Sequence, residues 1–103
     1  MTKQEMLQLK MTATRVRMGI IEATHGGKSG HPGGSLSAAD VLTYLYFKEM
    51  QIEPQNPQDP DRDRFVLSKG HAAPGLYSVL AERGFFPVAD LPTLRHSSSY
   101  LQG

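Results

Sequence analysis

Several residue types and patterns are missing from this sequence. It has 103 residues and contains no cysteine, so disulfides, thiolate metal sites and a thiol nucleophile are excluded. It also has no long apolar run, since no segment approaches the roughly 20 apolar residues that a membrane-spanning helix requires. From these absences we expect a soluble, cytoplasmic chain with no membrane partner.

A charge excess of either sign is missing as well. Lysine and arginine number 11 against 10 aspartate and glutamate, which leaves a net charge of +1. Such a balance gives no general attraction to nucleic acid, so no nucleic-acid partner is expected and any anion binding must be local. The length suits one small domain but is short for an enzyme that holds a large cofactor and a substrate in one core. We therefore interpret residues 1–103 as part of a larger domain.

What the sequence does contain begins with a clear helical pattern. Apolar residues recur at spacings of three and four, typical of one helix face, at Met6, Leu9, Ala13, Val16, Ile20 and Ala23. This spacing predicts a long first helix that ends near Thr24, before Gly26 and Gly27.

The next segment predicts a shaped loop followed by a second helix. Glycine and proline favour a loop through Gly34. Ser37 and Asp40 have the spacing of a capping box, with Leu36 and Val41 as a hydrophobic staple, so the second helix is expected to begin near Ala38. Its buried stripe is predicted to consist of Val41, Leu42, Leu45 and Met50.

The second half of the chain has elements in the order of an open α/β fold. The predicted elements are a proline-rich surface connection over 51–63, a brief buried strand over 64–68, a helix over about 72–83 and a short helix around 89–95. In the longer helix, Pro74 suits the first turn and Gly84 the C-terminal stop. Its buried face is predicted to carry Leu76, Tyr77 and Leu80.

Two histidines lie in glycine-framed turns, each leading into a predicted helix. The turns are Ser29-Gly30-His31-Pro32-Gly33-Gly34 and Ser68-Lys69-Gly70-His71-Ala72. Glycine lets the backbone approach a bound group closely, and histidine exchanges a proton near neutral pH. The free N–H groups of a helix that follows a strand also favour an anion such as a diphosphate. We interpret the two turns as half of an active site, although a lone turn histidine is more often structural.

Other interpretations of these residue types fit the sequence less well. Gly27-Lys28-Ser29 ends like a phosphate loop, but Glu22 occupies the position of the first glycine of that motif. The four histidines include no i, i+4 pair, so no protein-only metal site is predicted. His25 is interpreted as a partner of the helix dipole, and His96, which has no glycine frame, as structural.

Two long motifs resemble the transketolase family, most closely the N-terminal subunit of its split forms. One extends from Ser29 to Asp40 and the other from Asp63 to Pro74, and family-like sequence continues to about Arg95. The resemblance implies the N-terminal, mostly helical part of a doubly wound α/β domain that binds thiamine diphosphate. It also implies transfer of a two-carbon ketol unit from a ketose phosphate to an aldose phosphate, in the pentose phosphate pathway, by a dimeric enzyme.

The resemblance assigns roles to three residues. His31 matches the family histidine near the reacting carbonyl, where it binds substrate, stabilises a developing alkoxide and relays a proton. His71 matches the histidine near the cofactor diphosphate and the donor sugar, and is therefore both catalytic and cofactor-binding. Gly34 matches the position where the backbone approaches the thiazolium ring.

Some parts of the family site do not occur in this sequence. The Gly-Asp-Gly signature with its downstream asparagine, which binds a divalent metal such as Mg²⁺, is missing, and so is the glutamate that activates the cofactor. The resemblance implies that a C-terminal half or subunit supplies the glutamate and that the isolated chain is inactive. Two alternatives stay open: a related thiamine-dependent enzyme such as deoxyxylulose-phosphate synthase, and a non-catalytic interaction module derived from a transketolase.

Overall fold

The chain folds around its long first helix. A computed structural model describes residues 1–27, 32–68 and 70–102. The elements are α1 (Lys3–Gly27), α2 (Pro32–Tyr44), a π-helical turn that continues α2 (Leu45–Glu49), a 3-10 turn (Gly70–Ala72), α3 (Ala73–Arg83) and a 3-10 helix (Val88–Thr93). The described residues include no β-strand, and none of the helices they form is long and apolar enough to cross a membrane.

A capping box begins α1. The Thr2 hydroxyl accepts a hydrogen bond from the Glu5 backbone N–H at 3.0 Å, and the Glu5 carboxylate accepts one from the Thr2 N–H at 3.3 Å. Each side chain thereby satisfies a backbone donor that the first turn leaves without a helical partner. The sequence therefore has a capping box, but at α1 and not at the predicted position in front of α2.

At its other end α1 runs three residues past the predicted stop near Thr24. Gly26 and Gly27 are part of the helix, and the 3-10 helix and the residue after it lie directly against them. A Cβ on Gly26 would overlap the backbone of Pro92, and one on Gly27 would lie 2.6 Å from the carbonyl oxygen of Leu94. The two glycines allow a close approach of two backbones, and the helix includes both of them.

The predicted start of α2 near Ala38 is wrong, since the helix begins at Pro32 and includes Gly34. Proline is favoured at the first helical position because the missing N–H needs no partner there. Ser37 lies inside the helix, where its hydroxyl donates to the Gly34 carbonyl at 2.9 Å. Asp40 pairs with Arg17 of α1 and caps no helix.

The three helices bury one continuous apolar cluster. Its buried members are Val16, Ile20, Ala39, Leu42, Tyr46 and Val79. The predicted faces are only partly confirmed, because Met6 of α1 is 47% exposed and Val41 of α2 is 63% exposed. A second cluster lies between the end of α1 and the C-terminal residues, where it comprises Ala23, Ala81, Leu91, Leu94 and Leu101.

The predicted bounds of α3 are confirmed, but its predicted buried face is not, since Leu76, Tyr77 and Leu80 are only half-buried and Ser78 and Val79 are fully buried. The prediction for the strand is wrong. Gly84 ends α3 in the left-handed region at φ 106°, and its N–H donates to the carbonyls of Leu80 and Ala81. Residues 64–68 form no strand, because a strand needs a partner for its hydrogen bonds and the described residues supply none. Val66 is consequently 86% exposed. The structure is therefore mostly helical, and it does not show an α/β sheet.

Candidate functional site

The helix start that holds Gly34 and the turn that holds His71 meet in the structure. Gly34 lies in the first turn of α2, and His71 lies in the 3-10 turn that leads into α3. The 3-10 turn and the start of α3 both contact α2. His31 immediately precedes α2 but lies outside the described residues, so its role stays a prediction.

A buried hydrogen bond joins the starts of the two helices. The Ser35 hydroxyl accepts from the Gly75 backbone N–H at 3.0 Å. Ser35 is fully buried, and a Cβ on Gly75 would lie 3.1 Å from the Ser35 Cβ. The absence of a side chain at Gly75 therefore allows the close approach, and the hydrogen bond holds it.

The solvent side of this junction is open. A Cβ added to Gly33, in the first turn of α2, or to Gly70, in the 3-10 turn, would have no described atom within 4 Å. A bound group can therefore approach the backbone at both turns. The glycines that permit this approach are the ones that frame the two histidines in the sequence.

The backbone charge at the junction favours an anion. Helix N-termini expose N–H groups that lack helical partners and carry partial positive charge. Within the described part of the chain, no acidic side chain lies in the first turn of either α2 or α3, so none there offsets that charge. Two such termini side by side suit a ligand with a phosphate or diphosphate group.

The groups with shifted pKa values belong to contacts that support the fold. Lys48, on the π-helical turn, hydrogen-bonds the Glu5 carboxylate at 2.5 Å and lowers the pKa of that carboxyl. Asp90 accepts a hydrogen bond from the Tyr100 hydroxyl and raises the Tyr100 pKa to about 12. Both pairs are surface contacts away from the junction of α2 and α3, so they supply no acid or base to it.

The structure also places the other histidines. His96 Nε2 lies 2.9 Å from the Gly26 carbonyl oxygen, which supports its structural interpretation. His25 lies exposed in the last turn of α1, as a dipole partner would. Across the described residues, no group of three His, Asp or Glu side chains is placed to hold a metal ion.

Sequence reasoning missed Ser35 and Gly75 as the residues that join the two turns. The signal available was Gly75 itself, because a glycine inside a helix costs roughly 0.5–1 kcal/mol relative to alanine. Such a residue needs a reason, and a close backbone contact is a common one. The partner is 40 residues away in the sequence, so no local pattern identifies it.

Comparison with known proteins covers almost the whole chain. Residues 8–103 match the family model described as transketolase, thiamine diphosphate binding domain. The chain is 50% identical to human transketolase over 101 residues, which is 98% of this chain and 16% of the relative.

Two relatives that are subunits of split enzymes are also similar to the chain. The 6-deoxy-6-sulfo-D-fructose transketolase subunit SqwG of Clostridium sp. (strain MSTE9) is 44% identical over 95% of this chain and 36% of its own length. An apulose-4-phosphate transketolase subunit of Actinobacillus succinogenes is 40% identical over 94% of this chain and 35% of its own length. The chain thus spans about a sixth to about a third of the curated relatives that it matches.

Proposed function

Because the chain belongs to the transketolase family, we propose that it forms part of the thiamine diphosphate site of an enzyme that transfers a two-carbon ketol unit from a ketose phosphate to an aldose phosphate. The observation that carries the proposal is the contact of the start of α2, which holds Gly34, with the 3-10 turn that holds His71 and with the start of α3. The partial positive charge of the two helix starts and the space at Gly33 and Gly70 fit a diphosphate.

Each predicted site residue has a stated role in this proposal. The partial positive charge at the starts of α2 and α3, together with His71, holds the diphosphate and the donor sugar. Gly34 gives the thiazolium ring room beside the backbone. His31 donates a hydrogen bond to the substrate oxygen that becomes negatively charged, and it relays a proton. The bound cofactor supplies the electron sink for carbon–carbon bond cleavage.

The remaining parts of the site come from elsewhere in the assembly under this proposal. This sequence contains no Gly-Asp-Gly signature, so the Mg²⁺ ligands and the glutamate that activates the cofactor are supplied by other residues. A C-terminal half or subunit is the expected partner, in a cytoplasmic dimer. Residues 64–68, in which Val66 is largely exposed, are the expected first strand of a doubly wound sheet.

The test is ketol transfer by the chain in an assembly that also supplies the Mg²⁺ ligands and the activating glutamate, with thiamine diphosphate and Mg²⁺ added. His31→Ala should lower turnover by about 10²–10⁴-fold, because a positioned proton donor is lost, and should leave the Kd for thiamine diphosphate nearly unchanged. His96→Ala, which removes a structural histidine, is the matched control. The chain without its partner should show no transfer.

Three outcomes would contradict parts of the proposal. Ketol transfer by the isolated chain would show that no outside residues are needed. A His31→Ala variant that only binds thiamine diphosphate more weakly would remove the proton-relay role. An assembly that binds no thiamine diphosphate would instead favour a non-catalytic interaction module.

A further inference from the structure

We infer that Ser35 is a positioning residue that fixes the first turn of α2 relative to the 3-10 turn and the start of α3, by capping α3 from α2. The inference rests on the proposed function, since it concerns the geometry of that same site. Ser35 is fully buried and so has no direct access to a ligand. Its effect on the reaction must therefore pass through the two turns.

The start of α3 has no cap of its own. Its N-cap residue is Ala72, whose side chain has no hydrogen-bond acceptor, and Pro74 carries no N–H. Gly75 is the third residue of α3, so its N–H has no partner within the helix. The Ser35 hydroxyl, 3.0 Å away, is the acceptor that satisfies this buried donor. A cap that is usually local is supplied here from another helix.

The Ser35–Gly75 contact holds the two helices close together. The hydrogen bond opposes separation, because an unpaired buried N–H is costly. The absence of a side chain at Gly75 permits the short spacing, because an added Cβ would lie 3.1 Å from the Ser35 Cβ and 3.3 Å from its Cα. Separation of the two helix starts is therefore resisted.

Both turns are rigidly connected to this contact. Ser35 lies one helical turn after Pro32, the first residue of α2. Gly75 follows His71 by four residues, through the 3-10 turn and the first residues of α3. Because helices move as units, a shift at the contact changes the spacing between the first turn of α2 and the 3-10 turn. Reaction rates are sensitive to such misplacement.

The chain offers a matched control in Ser78. Ser78 is also fully buried, and its hydroxyl donates to the Val16 carbonyl at 2.7 Å, so Ser78→Ala deletes a similar hydrogen bond on the other side of α3. Ser35→Ala should lower stability more than Ser78→Ala, because it leaves the buried Gly75 N–H unpaired, whereas the Val16 carbonyl keeps its helical partner. Only Ser35→Ala should act on the starts of α2 and α3.

The first measurement is amide hydrogen exchange in the complete assembly, without added ligand. Ser35→Ala should speed exchange of the Gly75 amide by about tenfold or more, because that N–H loses its acceptor, and should also change exchange over residues 70–72. Ser78→Ala should leave both unchanged beyond its effect on global stability. Equal changes in the two variants, or no change at Gly75, would overturn the inference.

The second measurement is steady-state kinetics at a temperature where both variants are fully folded. Ser35→Ala should lower kcat by about tenfold with a smaller change in KM, and Ser78→Ala should stay within about twofold of the wild type. Equal losses would show that Ser35 only stabilises the fold. If the wild-type assembly transfers no ketol unit, the proposed function fails, and the exchange measurement still decides whether Ser35 positions the turns.

Discussion

Helix α3 crosses α2 on one face and α1 on the other, and each crossing pairs a serine with a glycine. The serine accepts a hydrogen bond at one crossing and donates one at the other. On one face Gly75 of α3 lies against Ser35 of α2, and on the other Ser78 of α3 lies against Gly19 of α1. Ser35 accepts from a backbone N–H, whereas Ser78 donates to a backbone carbonyl. Both serines are fully buried, so each contact also excludes water.

Whether the serine donates or accepts follows from where each crossing lies along the helices. Ser35 meets α3 in its first turn, where N–H groups lack helical partners, and it lies beside the two glycine-framed turns. Ser78 meets α1 at Val16, in mid-helix, where the carbonyl already has a helical partner and accepts a second bond. A serine and a glycine thus bring two helices close together at both crossings. Only the crossing at the start of α3 lies where it can position the candidate site.

The largest stability effect is expected at the mid-helix crossing, from Gly19→Ala. An added Cβ would overlap the Ser78 hydroxyl and would lie 3.0 Å from Leu91 Cδ1. Overpacking should exceed the helical preference for alanine, for a net loss of about 2 kcal/mol in urea unfolding.

The double variant Gly19→Ala/Ser78→Ala sharpens the assignment of that loss. Removing the Ser78 hydroxyl makes room for the new methyl group, so the combined loss should be smaller than the sum of the two single losses. Strict additivity would show that the hydroxyl and the methyl group do not compete for the same space.

A smaller stability effect is expected from Gly75→Ala, at the crossing beside the site. The added Cβ would be 3.1 Å from the Ser35 Cβ, a milder contact than at Gly19, and the gain in helix propensity offsets part of it. The unfolding free energy should change by less than about 1 kcal/mol. A loss as large as that of Gly19→Ala would erase the distinction between the two crossings.

Thr43→Val tests whether a buried hydroxyl stabilises the protein only when it forms a hydrogen bond to the backbone, as those of Ser35 and Ser78 do. Thr43 is buried in α2, and its hydroxyl has no hydrogen-bond partner among the described residues. Valine keeps the shape and removes the unpaired polar atom, so the protein should be unchanged or more stable by up to about 1 kcal/mol in urea unfolding. Destabilisation comparable to Ser78→Ala would mean that buried hydroxyls contribute in the same way with or without a backbone bond.

The smallest effect on stability is expected from the exposed hydroxyl of Tyr100. Asp90 raises its pKa to about 12 in the folded protein, against 10.0 for an unperturbed tyrosine. Because the folded-state pKa is the higher one, the stabilising contribution is complete below pH 10 and is lost as the pH rises toward 12. An ultraviolet titration should show a tyrosine that ionises near pH 12, and both Tyr100→Phe and Asp90→Asn should abolish that step.

Local signals in the sequence predicted the elements that depend on local chemistry. The buried positions Ala13, Val16, Ile20 and Ala23 of α1 and the Gly84 end of α3 are confirmed, because helix periodicity and the left-handed glycine depend on residues close together in the chain. The start of α2 was missed because the Ser37 and Asp40 spacing resembles a cap that the chain does not form there.

Local signals in the sequence could not predict features that depend on distant residues. The strand predicted over 64–68 needs a pairing partner that the described residues do not contain. The family resemblance is confirmed, and the Gly34 and His71 segments do come together, but the roles of His31, His71 and Gly34 stay predictions. The link between the two turns, Ser35 to Gly75, joins residues 40 positions apart.

The Ser35–Gly75 contact also constrains how the sequence can change over evolutionary time. Even a methyl group at position 75 would lie 3.1 Å from the Ser35 Cβ, so a large side chain there is disfavoured, and a larger residue at position 35 is disfavoured in its fully buried place. A large residue at either position therefore requires a change at the other. Accepted substitutions at the two positions should therefore be coupled across homologous sequences, so that the residue found at one restricts which residues are found at the other.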